Sequence, residues 1–526
     1  MSDPVIVGLD AGTSVIKAVA FDVNGRQLGV ASRPNSFNTL PDGGAEQNMD
    51  RTFADAAAAL KELGAVIDNL SQRILVLSVT GQGDGCWLID KDGRPVHDGW
   101  LWLDARAVGP TRRLTQSPAM ETIYAHTATG LNPCQMRTQL AFMKEAMPEL
   151  LANAATAFHC KDWLYLRLTG ERATDPTEGG YTFGNYRTRA YSDEVFEALD
   201  LSDLKHLMPP IVDGSTTAHR LTAEAANVSG LPEGLPVTLG YLDIMCSAMG
   251  AGLMDAAVQP GLSVLGSTGV HMRYVPNVDA VVLNEDRNGY TMPFPGAAYG
   301  QMQTNMAATL NIDWMLDIAI EILASEGVAR TRADLLKGLD AKVLAARPGA
   351  ALYHPYISFA GERGPFVEPD ARASFTGLDQ SAGWFDLVRA TFEGLALAAR
   401  DCYAVMGPIP SEVRLSGGAA RSKALRAILS ATLGRPLRTV AQAESGAAGA
   451  AMIAAVQQGL YPSIDACADA WVTPLLEEAE APDETLTGIY DTLYERYVAT
   501  RTALAPTWSD HAAARKSIHA AMGEGA

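Results

Sequence analysis

The sequence predicts an α/β protein that is built from two related halves. Apolar runs typical of strands alternate with segments of helical spacing, and the first two strands form an antiparallel pair. At 526 residues, the chain is too long for a single hydrophobic core, so we expect two domains. The strand–turn–strand pattern of residues 5–22 is repeated at residues 261–275, about half a chain away. This repeat indicates two halves that face one ligand.

The first half begins with an apolar strand over residues 5–10 and an antiparallel partner over residues 15–22. The dipeptide Asn24-Gly25 supplies a hairpin turn that leads into a third strand at residues 27–32. A further apolar strand at residues 74–80 leads directly into the segment GQGDG, and Asp92-Gly93 predicts another hairpin. Helical spacing predicts three helices in this half, at residues 50–63, with an aspartate at its start, 138–151 and 162–168.

The second half begins near residues 250–261, where small residues are concentrated. After its own strand–turn–strand, a later strand enters the segment GGA, and a helix follows it with Leu425, Ile428 and Leu429 facing the core. Residues 444–455 form a helix of small side chains, which predicts very close packing against another element. From residue 483 the chain is predicted to form a helix and then a loose tail.

The composition limits the function classes that fit the chain. Its 48% hydrophobic and 19% charged residues are typical of a folded protein. A net charge of −19 argues against a nucleic-acid partner, but the few phosphates of a nucleotide can be held by backbone N–H groups and a metal. The six cysteines include no CxxC pair, and neither a signal peptide nor a membrane-spanning segment is visible. We therefore expect a cytoplasmic protein with no membrane or nucleic-acid partner.

Two turns of glycine and hydroxyl residues are candidates for phosphate binding. In the first, Gly12 permits a tight turn whose N–H groups converge on phosphate oxygens, and the carboxylate of Asp10 suits a hydrated Mg²⁺ ion. A plain hairpin with a capping aspartate fits this turn equally well. The second turn, at residues 266–269, is a common composition by itself. Because the two turns are paired, a two-sided phosphate site becomes the better interpretation.

The GGA segment is a third candidate, since a strand enters it and a helix leaves it. Glycines at such a turn let a flat ring or a phosphate approach the backbone, and a helix N-terminus favours anions. A purely steric role for these glycines remains open. The chain has no GxxxxGK[ST] motif and its GQGDG is not a GxGxxG motif, so neither a P-loop enzyme nor a dinucleotide-binding fold is predicted.

These motifs, together with GERGPFVEP at residues 361–369, occur in the order seen in the FGGY carbohydrate kinases, a branch of the actin-like ATPase superfamily. The resemblance covers roughly residues 5–500. Segments such as VTGQGDG, WLWLDARA, HCKDWLYL and YHPYISFAGERGPF resemble the members of that family that act on erythritol.

The resemblance implies two actin-like (ribonuclease H-like) domains, with mixed sheets flanked by helices and a ligand cleft between them. It divides the chain into residues 1–254, with the acceptor pocket and first phosphate turn, and residues 255–500, with the second phosphate turn and adenosine site. Residues 501–526 are expected to form a C-terminal helix and tail. It also implies ATP and Mg²⁺ as cofactors and, from family habit, a homodimer.

The same resemblance implies roles for individual residues. Asp10 matches the Mg²⁺-associated aspartate, and Asp243 matches the base that accepts the proton of the acceptor hydroxyl. The positions that match ATP-binding residues are Gly12, Thr13 and Ser14 in the first turn, Gly266, Ser267 and Thr268 in the second, Gly417, Gly418 and Ala419 in GGA, and Ser422, where relatives often have Asn.

Asp243 also makes chemical sense as a base. Phosphoryl transfer needs positioning and charge stabilisation more than covalent help, so one carboxylate at the attacking hydroxyl is sufficient. A helix follows this aspartate, so an N-cap role is the structural alternative, and both roles are compatible.

The acceptor side is predicted from polar residues with one aromatic wall, which is how hydroxyl groups and a carbon chain are recognised together. These residues are Gln82, Asp84, Trp102, Asp104 and Arg106, with Asp243. Core packing of the tryptophan, and a surface ion pair of little value between Asp104 and Arg106, are the alternatives.

One departure from the family bears on specificity. Xylulose kinases carry a histidine after the strand and glycerol kinases an Arg-Glu pair, whereas this chain has Gly83-Asp84. A different acceptor shape or hydroxyl pattern is therefore expected. An arginine in a glycine-rich loop is more often structural, so Arg363 is not placed among the catalytic residues.

The sequence thus predicts an ATP-dependent kinase of a small polyol, and erythritol is the expected acceptor. Xylulose, ribulose and glycerol are the alternatives within the class. A substrate-independent actin-like ATPase is the alternative from another class, and the segments WLDARA and GERGPF argue against it.

Overall fold

The computed structural model describes residues 3–522. Its strands are β1 (Val5–Ala11), β2 (Val15–Asp22), β3 (Gln27–Pro34), β4 (Asn38–Thr39), β5 (Ala45–Gln47), β6 (Ile74–Gly81), β7 (Trp87–Ile89), β8 (Gly99–Trp100), β9 (Thr156–Phe158), β10 (Gly184–Asn185), β11 (Ala190–Tyr191), β12 (His219–Arg220), β13 (Pro236–Leu239), β14 (Gly261–Leu265), β15 (Gly269–Val275), β16 (Tyr290–Pro293), β17 (Tyr299–Asn305), β18 (Leu352–His354), β19 (Ser374–Thr376), β20 (Val413–Ser416) and β21 (Leu437–Thr439).

Its α-helices are α1 (Met49–Val66), α2 (Leu70–Arg73), α3 (Val108–Thr115), α4 (Ala119–Thr127), α5 (Met136–Ala146), α6 (Pro148–Asn153), α7 (Cys160–Thr169), α8 (Pro176–Phe183), α9 (Asp193–Ala198), α10 (Ala223–Ser229), α11 (Asp243–Gly250), α12 (Thr309–Ser325), α13 (Arg332–Leu336), α14 (Leu339–Ala345), α15 (Trp384–Ala404), α16 (Lys423–Leu433), α17 (Ser445–Gln457), α18 (Ile464–Trp471) and α19 (Glu484–Met522). Four short 3₁₀ segments occur among the described residues, including Gly418–Arg421.

Each half is built on a six-stranded mixed sheet. The first has the order β12-β13-β6-β1-β2-β3, with β1 antiparallel to β2 and parallel to β6, which is parallel to β13. The second has the order β16-β17-β15-β14-β20-β21, with β14 antiparallel to β15 and parallel to β20, which is parallel to β21. The strand–turn–strand units predicted from the sequence therefore open two sheets of the same design.

Strand β1 is buried on both faces, and its side chains alternate between two cores. Val5, Val7 and Leu9 pack in a core that includes side chains of α1 and α7. Ile6 points the other way, into a core formed with α11 and α17. Since α17 comes from the second half of the chain, the two halves share this core.

Helices α11 and α17 are in contact through their main chains. A Cβ atom on Gly449 would overlap the carbonyl of Cys246, and one on Gly250 would overlap the carbonyl of Ser445. On the neighbouring strand, a Cβ atom on Gly8 would overlap the carbonyl of Ala447. This packing explains the run of small residues at 444–455 and matches the prediction made from it.

Of two local predictions beside a proline, the helix was wrong and the hairpin was confirmed. The helix predicted for residues 138–151 is two helices, since Pro148 lacks an N–H and starts a new helix instead of continuing α5. At Asp92-Gly93 the turn forms, with the N–H of Asp90 donating to the carbonyl of Arg94 at 2.8 Å. The predicted hairpin follows from it, because Pro95 bridges Ile89 in antiparallel fashion and the N–H of Val96 donates to the carbonyl of Leu88 at 2.9 Å. Strand β7 also pairs with β9.

The C-terminal helix α19 is longer than the sequence indicated. It runs without interruption past Pro506, so the predicted boundary at residue 501 falls inside it. Tyr490, Tyr497 and Trp508 anchor it to the second half through buried rings. Residues 523–526, part of the predicted loose tail, lie outside the described residues.

No helix within residues 3–522 has both the length and the apolar character needed to cross a membrane. All six cysteines are buried free thiols.

Candidate active site

Three neighbouring parallel strands of the first sheet end at the same edge, and each delivers a carboxylate there. Asp10 is the next-to-last residue of β1, β6 leads into the segment with Asp84, and β13 is followed by Asp243 in the first turn of α11. Ligands of α/β proteins bind outside the carboxyl ends of such strands. Residues far apart in the sequence are thereby brought to one place, as the predicted site requires.

The carboxylates of Asp10 and Asp243 both have raised pKa values. Burial raises the pKa of Asp10 to about 6, with Lys17 opposing the increase and Glu444 adding to it. Burial, reinforced by the negative charge of Asp10, raises the pKa of Asp243 well above its usual range. Both side chains nevertheless remain partly exposed to solvent. The site therefore concentrates negative charge that a cation or a donated proton would relieve.

The donor set around Asp10 fits Mg²⁺. Carboxylate oxygens with access to water are ligands that Mg²⁺ prefers, because the ion keeps part of its hydration shell. Among residues 3–522, no three His, Cys, Asp or Glu side chains converge into a ready-made metal cage. Asp10, water and nucleotide phosphates would accordingly have to supply the ligands. Gly446, at the start of α17, lies so close that a Cβ atom there would overlap the Asp10 carboxylate.

A chain of hydrogen bonds joins the first turn to the predicted acceptor residues. The indole N–H of Trp102 donates to Thr13 Oγ1 at 2.8 Å, and that hydroxyl donates to Gln82 Oε1 at 2.8 Å. Gln82 Nε2 then donates to Gln47 Oε1 at 2.6 Å. Because the Thr13 hydroxyl is engaged in this way, its main-chain N–H is the group left for a phosphate. Gln47 was not identified from the sequence.

Asp84 lies at the centre of a second hydrogen-bond cluster. Tyr181 Oη donates to its Oδ1 at 2.8 Å, and Tyr290 Oη and Cys134 Sγ reach its Oδ2 at 3.2 Å and 3.3 Å. Tyr290 belongs to the second half, so both halves hold this carboxylate. Sequence analysis missed these three partners, which come from separate segments and form no local motif.

Asp104 and Arg106 form a buried ion pair, contrary to the surface pair considered as an alternative. Their side chains are 0% and 7% exposed, and Arg106 Nη2 lies 2.6 Å from Asp104 Oδ2 and 2.9 Å from Glu46 Oε1. The guanidinium carbon of Arg106 is 3.4 Å from the ring centroid of Trp100, and the N–H of Ala45 donates to Asp104 Oδ2 at 2.9 Å. The pair thus fixes the loop that carries Trp102.

The second sheet presents main chain at the equivalent edge. Gly417 has a φ of +89°, and a Cβ atom there would lie 2.5 Å from the carbonyl oxygen of Leu265. The GGA segment is therefore packed directly against the strand that leads into the second turn. That turn is anchored to α12, because the N–H of Ala308 donates to the carbonyl of Ser267 at 2.7 Å and that of Thr309 to Gly266 at 3.0 Å.

Ser422 caps helix α16. Its Oγ accepts from the N–H of Leu425 at 3.2 Å and donates to Asp340 Oδ1 at 2.6 Å. The side chain is thus engaged within the chain beside the predicted adenosine site.

A buried cluster of charged groups lies beneath the acceptor side. Lys161 Nζ is 2.6 Å from both Asp162 Oδ1 and Asp175 Oδ1. His159 contacts Asp162 at 3.3 Å and Glu178 Oε2 at 3.2 Å. Burial raises the pKa of Glu178 to about 7, although His159 and Lys161 oppose the increase.

This cluster explains the glycine at position 83. A Cβ atom there would overlap Leu242 and lie 2.8 Å from Glu178 Oε1. The buried glutamate and leucine therefore occupy space that a larger residue at this position would need.

Residues 5–250 match the N-terminal domain of the FGGY family of carbohydrate kinases, and residues 261–458 match its C-terminal domain. The chain belongs to this family. It is 51% identical to an erythritol kinase of Brucella abortus, over 96% of this chain and 97% of the relative. It is 25% identical to a xylulose kinase of Bacillus subtilis, over 94% and 95% of the two chains.

Solved structures show the same fold. A gluconate kinase from Lactobacillus acidophilus superposes with a TM-score of 0.88 at 20% identity, over 97% of this chain and all of the other. A xylulose kinase from Rhodospirillum rubrum superposes with a TM-score of 0.85 at 26% identity, over 96% of this chain and all of the other. The predicted family, the two-domain actin-like fold and the enzyme class are confirmed. This FGGY kinase phosphorylates a sugar or polyol with ATP.

Proposed function

We propose that this kinase transfers the γ-phosphoryl group of ATP to a terminal hydroxyl of erythritol, forming erythritol phosphate and ADP. The observation that carries the proposal is the convergence of Asp10, Asp84 and Asp243 at one strand edge, in a chain 51% identical to a protein named erythritol kinase. Gly83 and the polar residues around it favour a small polyol.

Asp243 is the proposed base. Its raised pKa suits a carboxylate that takes up the proton of the attacking hydroxyl. The remaining acceptor contacts are assigned to Gln82, Asp84 and Trp102, with Asp104 and Arg106 fixing the loop behind them. The hydroxyl would be held between hydrogen-bonding side chains and the face of the indole ring.

The nucleotide is assigned to turns of both halves. The turn of residues 12–14 and the turn of residues 266–268 would hold the phosphates through main-chain N–H groups. The GGA segment at residues 417–419, with Ser422, would lie against the adenosine. Mg²⁺ held near Asp10 would neutralise phosphate charge when bound. Closure of the two halves would exclude water from the transfer.

The test measures ADP release by the purified protein with Mg-ATP and a panel of erythritol, xylulose, ribulose and glycerol. We expect the highest kcat/KM with erythritol and a phosphomonoester signal on a terminal carbon by NMR. A preference for xylulose, ribulose or glycerol would replace the acceptor but keep the class of reaction. ATP turnover that does not respond to any polyol would support the actin-like ATPase instead.

We also propose a cytoplasmic homodimer, divided into domains at residues 1–254 and 255–500. The six free thiols support a reducing compartment. The net charge of −19 supports the absence of a nucleic-acid partner. Light scattering of the purified protein would measure the oligomeric state.

A further inference from the structure

The loop of residues 361–369 is tied firmly to the second sheet. Glu362 Oε1 accepts from the N–H groups of Met306 and Arg363, each at 2.9 Å. Asn305 Nδ2 donates to the carbonyl of Gly364 at 2.8 Å. The main chain is therefore held by hydrogen bonds on both sides of the Arg363 side chain.

That side chain crosses from the second half to the acceptor side of the first. Arg363 Nη1 lies 4.0 Å from Cys134 Sγ, and its guanidinium carbon lies 6.0 Å from the ring centroid of Trp102. Cys134 in turn contacts Asp84 at 3.3 Å. Arg363 is thus brought among residues that belong to the proposed acceptor pocket.

Within residues 3–522, the thiol of Cys134 is the one hydrogen-bond partner of the guanidinium. Its Nε is buried and has no hydrogen-bond partner among residues 3–522. Burial opposes the charge, but Cys134, Tyr290 and Asp84 outweigh it and hold the pKa of Arg363 above its ordinary value. A charged donor that is left unsatisfied inside a protein is costly, so an oxygen atom of a ligand is the natural acceptor.

We propose that Arg363 is an acceptor-binding residue that determines specificity by donating hydrogen bonds to a hydroxyl at the end of the polyol that is not phosphorylated. This inference rests on the proposed function. The reacting hydroxyl must face Asp243, whereas Arg363 lies on the side of Trp102 and Cys134. A hydroxyl both donates and accepts, so it can donate to Asp84 and accept from Arg363.

The test compares two acceptors in the wild type and in R363M, which keeps a long side chain without its donors. Erythritol is compared with 1,2,3-butanetriol, which lacks one terminal hydroxyl. The KM and kcat of each are measured, and a Ki against erythritol where turnover is slow. We expect R363M to lower kcat/KM for erythritol by about 10- to 100-fold, mainly through KM, and to change the affinity for the butanetriol less than threefold.

Two further variants separate this role from a structural one. R363K should recover part of the loss with erythritol, because it restores a charged donor without the fork of the guanidinium. R372M is the matched control, since Arg372 lies just beyond the same loop and its hydrogen bonds within residues 3–522 all go to main-chain carbonyls. Thermal unfolding of all variants shows whether the fold is kept.

Each outcome decides the proposal. A wild type that phosphorylates polyols, together with an R363M variant that weakens both acceptors equally or neither, would overturn the role of Arg363 alone. A wild type that phosphorylates no polyol would overturn the proposed function and, with it, this inference. Selective loss of erythritol in R363M, with R372M unchanged, would establish it.

Discussion

The two sheets share one strand design but present different chemistry at their carboxyl edges. The first edge carries the side chains of Asp10, Asp84 and Asp243. The second carries main-chain turns, with Gly417 packed against the strand that precedes the other turn. A repeated strand design therefore need not repeat the same chemical groups at its edge. In the proposed function, side chains of the first edge bind the acceptor, while main-chain N–H groups of one turn from each half bind the phosphates.

The buried histidines of the two halves have different surroundings. Below the first edge, Lys161 and His159 are buried among carboxylates. In the second sheet, His271 is buried between neutral partners, with Nδ1 2.9 Å from Ser263 Oγ and Nε2 3.1 Å from Asn305 Oδ1. A histidine is therefore buried among charged groups in one half and between neutral partners in the other.

The largest effect is expected where the comparison depends on a single side chain. Asp243→Asn should lower kcat by about 10²- to 10⁴-fold, because the amide cannot take up the hydroxyl proton. ADP binding measured by calorimetry should be unchanged, since Asp243 is not among the residues assigned to the nucleotide. Asp200→Asn, at an exposed position, is the control. Turnover close to that of the wild type would remove Asp243 from its role.

The main-chain character of the second edge can be tested with two adjacent glycines. Gly417→Ala should destabilise the protein by about 1–3 kcal/mol and weaken ADP binding, because of its positive φ and its contact with Leu265. Gly418→Ala is the matched control, since its Cβ would meet only the end of the Arg421 side chain, at 3.9 Å. Thermal unfolding and calorimetry measure both. Equal effects of the two substitutions would contradict the strain argument.

The neutral imidazole of His271, buried in the second half, predicts sensitivity to acid. Burial lowers the pKa of His271 to about 4, so the unfolded chain takes up this proton near pH 6.5, before the folded chain does. Stability should therefore be lost as the pH falls from about 6.5 to about 4, with a loss of about 2 kcal/mol at pH 5. His271→Gln should remove that part of the pH dependence, while His206→Gln at the surface should not. Urea unfolding at pH 7.5 and pH 5 measures the free energy of unfolding at each pH. The same loss of stability between the two pH values in the wild type and in His271→Gln would refute the prediction.

The smallest effect is expected where the second half touches the first edge. Gly446→Ala would push against the Asp10 carboxylate and should raise the Mg²⁺ concentration needed for half-maximal rate by about tenfold. Gly488→Ala, in a helix with open space around it, is the control. A magnesium titration of the initial rate measures both. An unchanged requirement in Gly446→Ala would show that Asp10 does not depend on this contact.

Local patterns predicted the parts of the fold that local physics controls. Apolar runs broken by small polar residues predicted the strands around both turns. The same runs predicted that Asp10 lies near the end of one strand and that Asp243 follows another. Pro148 was the clear local failure, since helical spacing continued through it while its missing N–H divided the helix. Ending every predicted helix before an internal proline would have placed this boundary correctly.

The remaining features of the site arise from contacts between distant segments. Tyr181, Tyr290 and Cys134 meet only at Asp84, and no spacing in the sequence links them. The burial of Asp104 was equally invisible, since a charged pair two residues apart is usually exposed. Arg363 was judged structural from its glycine-rich loop, whereas the structure brings it next to Trp102.

The contact of α11 with α17 has a consequence for engineering this kinase. Where carbonyl groups lie against glycines, as at Gly250 and Gly449, there is no side chain that a library could repack. Attempts to change the acceptor should therefore leave this junction untouched and randomise Gly83 together with its neighbours Leu242 and Glu178. Variants selected in that way would keep the contact between α11 and α17 intact and differ only in the acceptor that they bind.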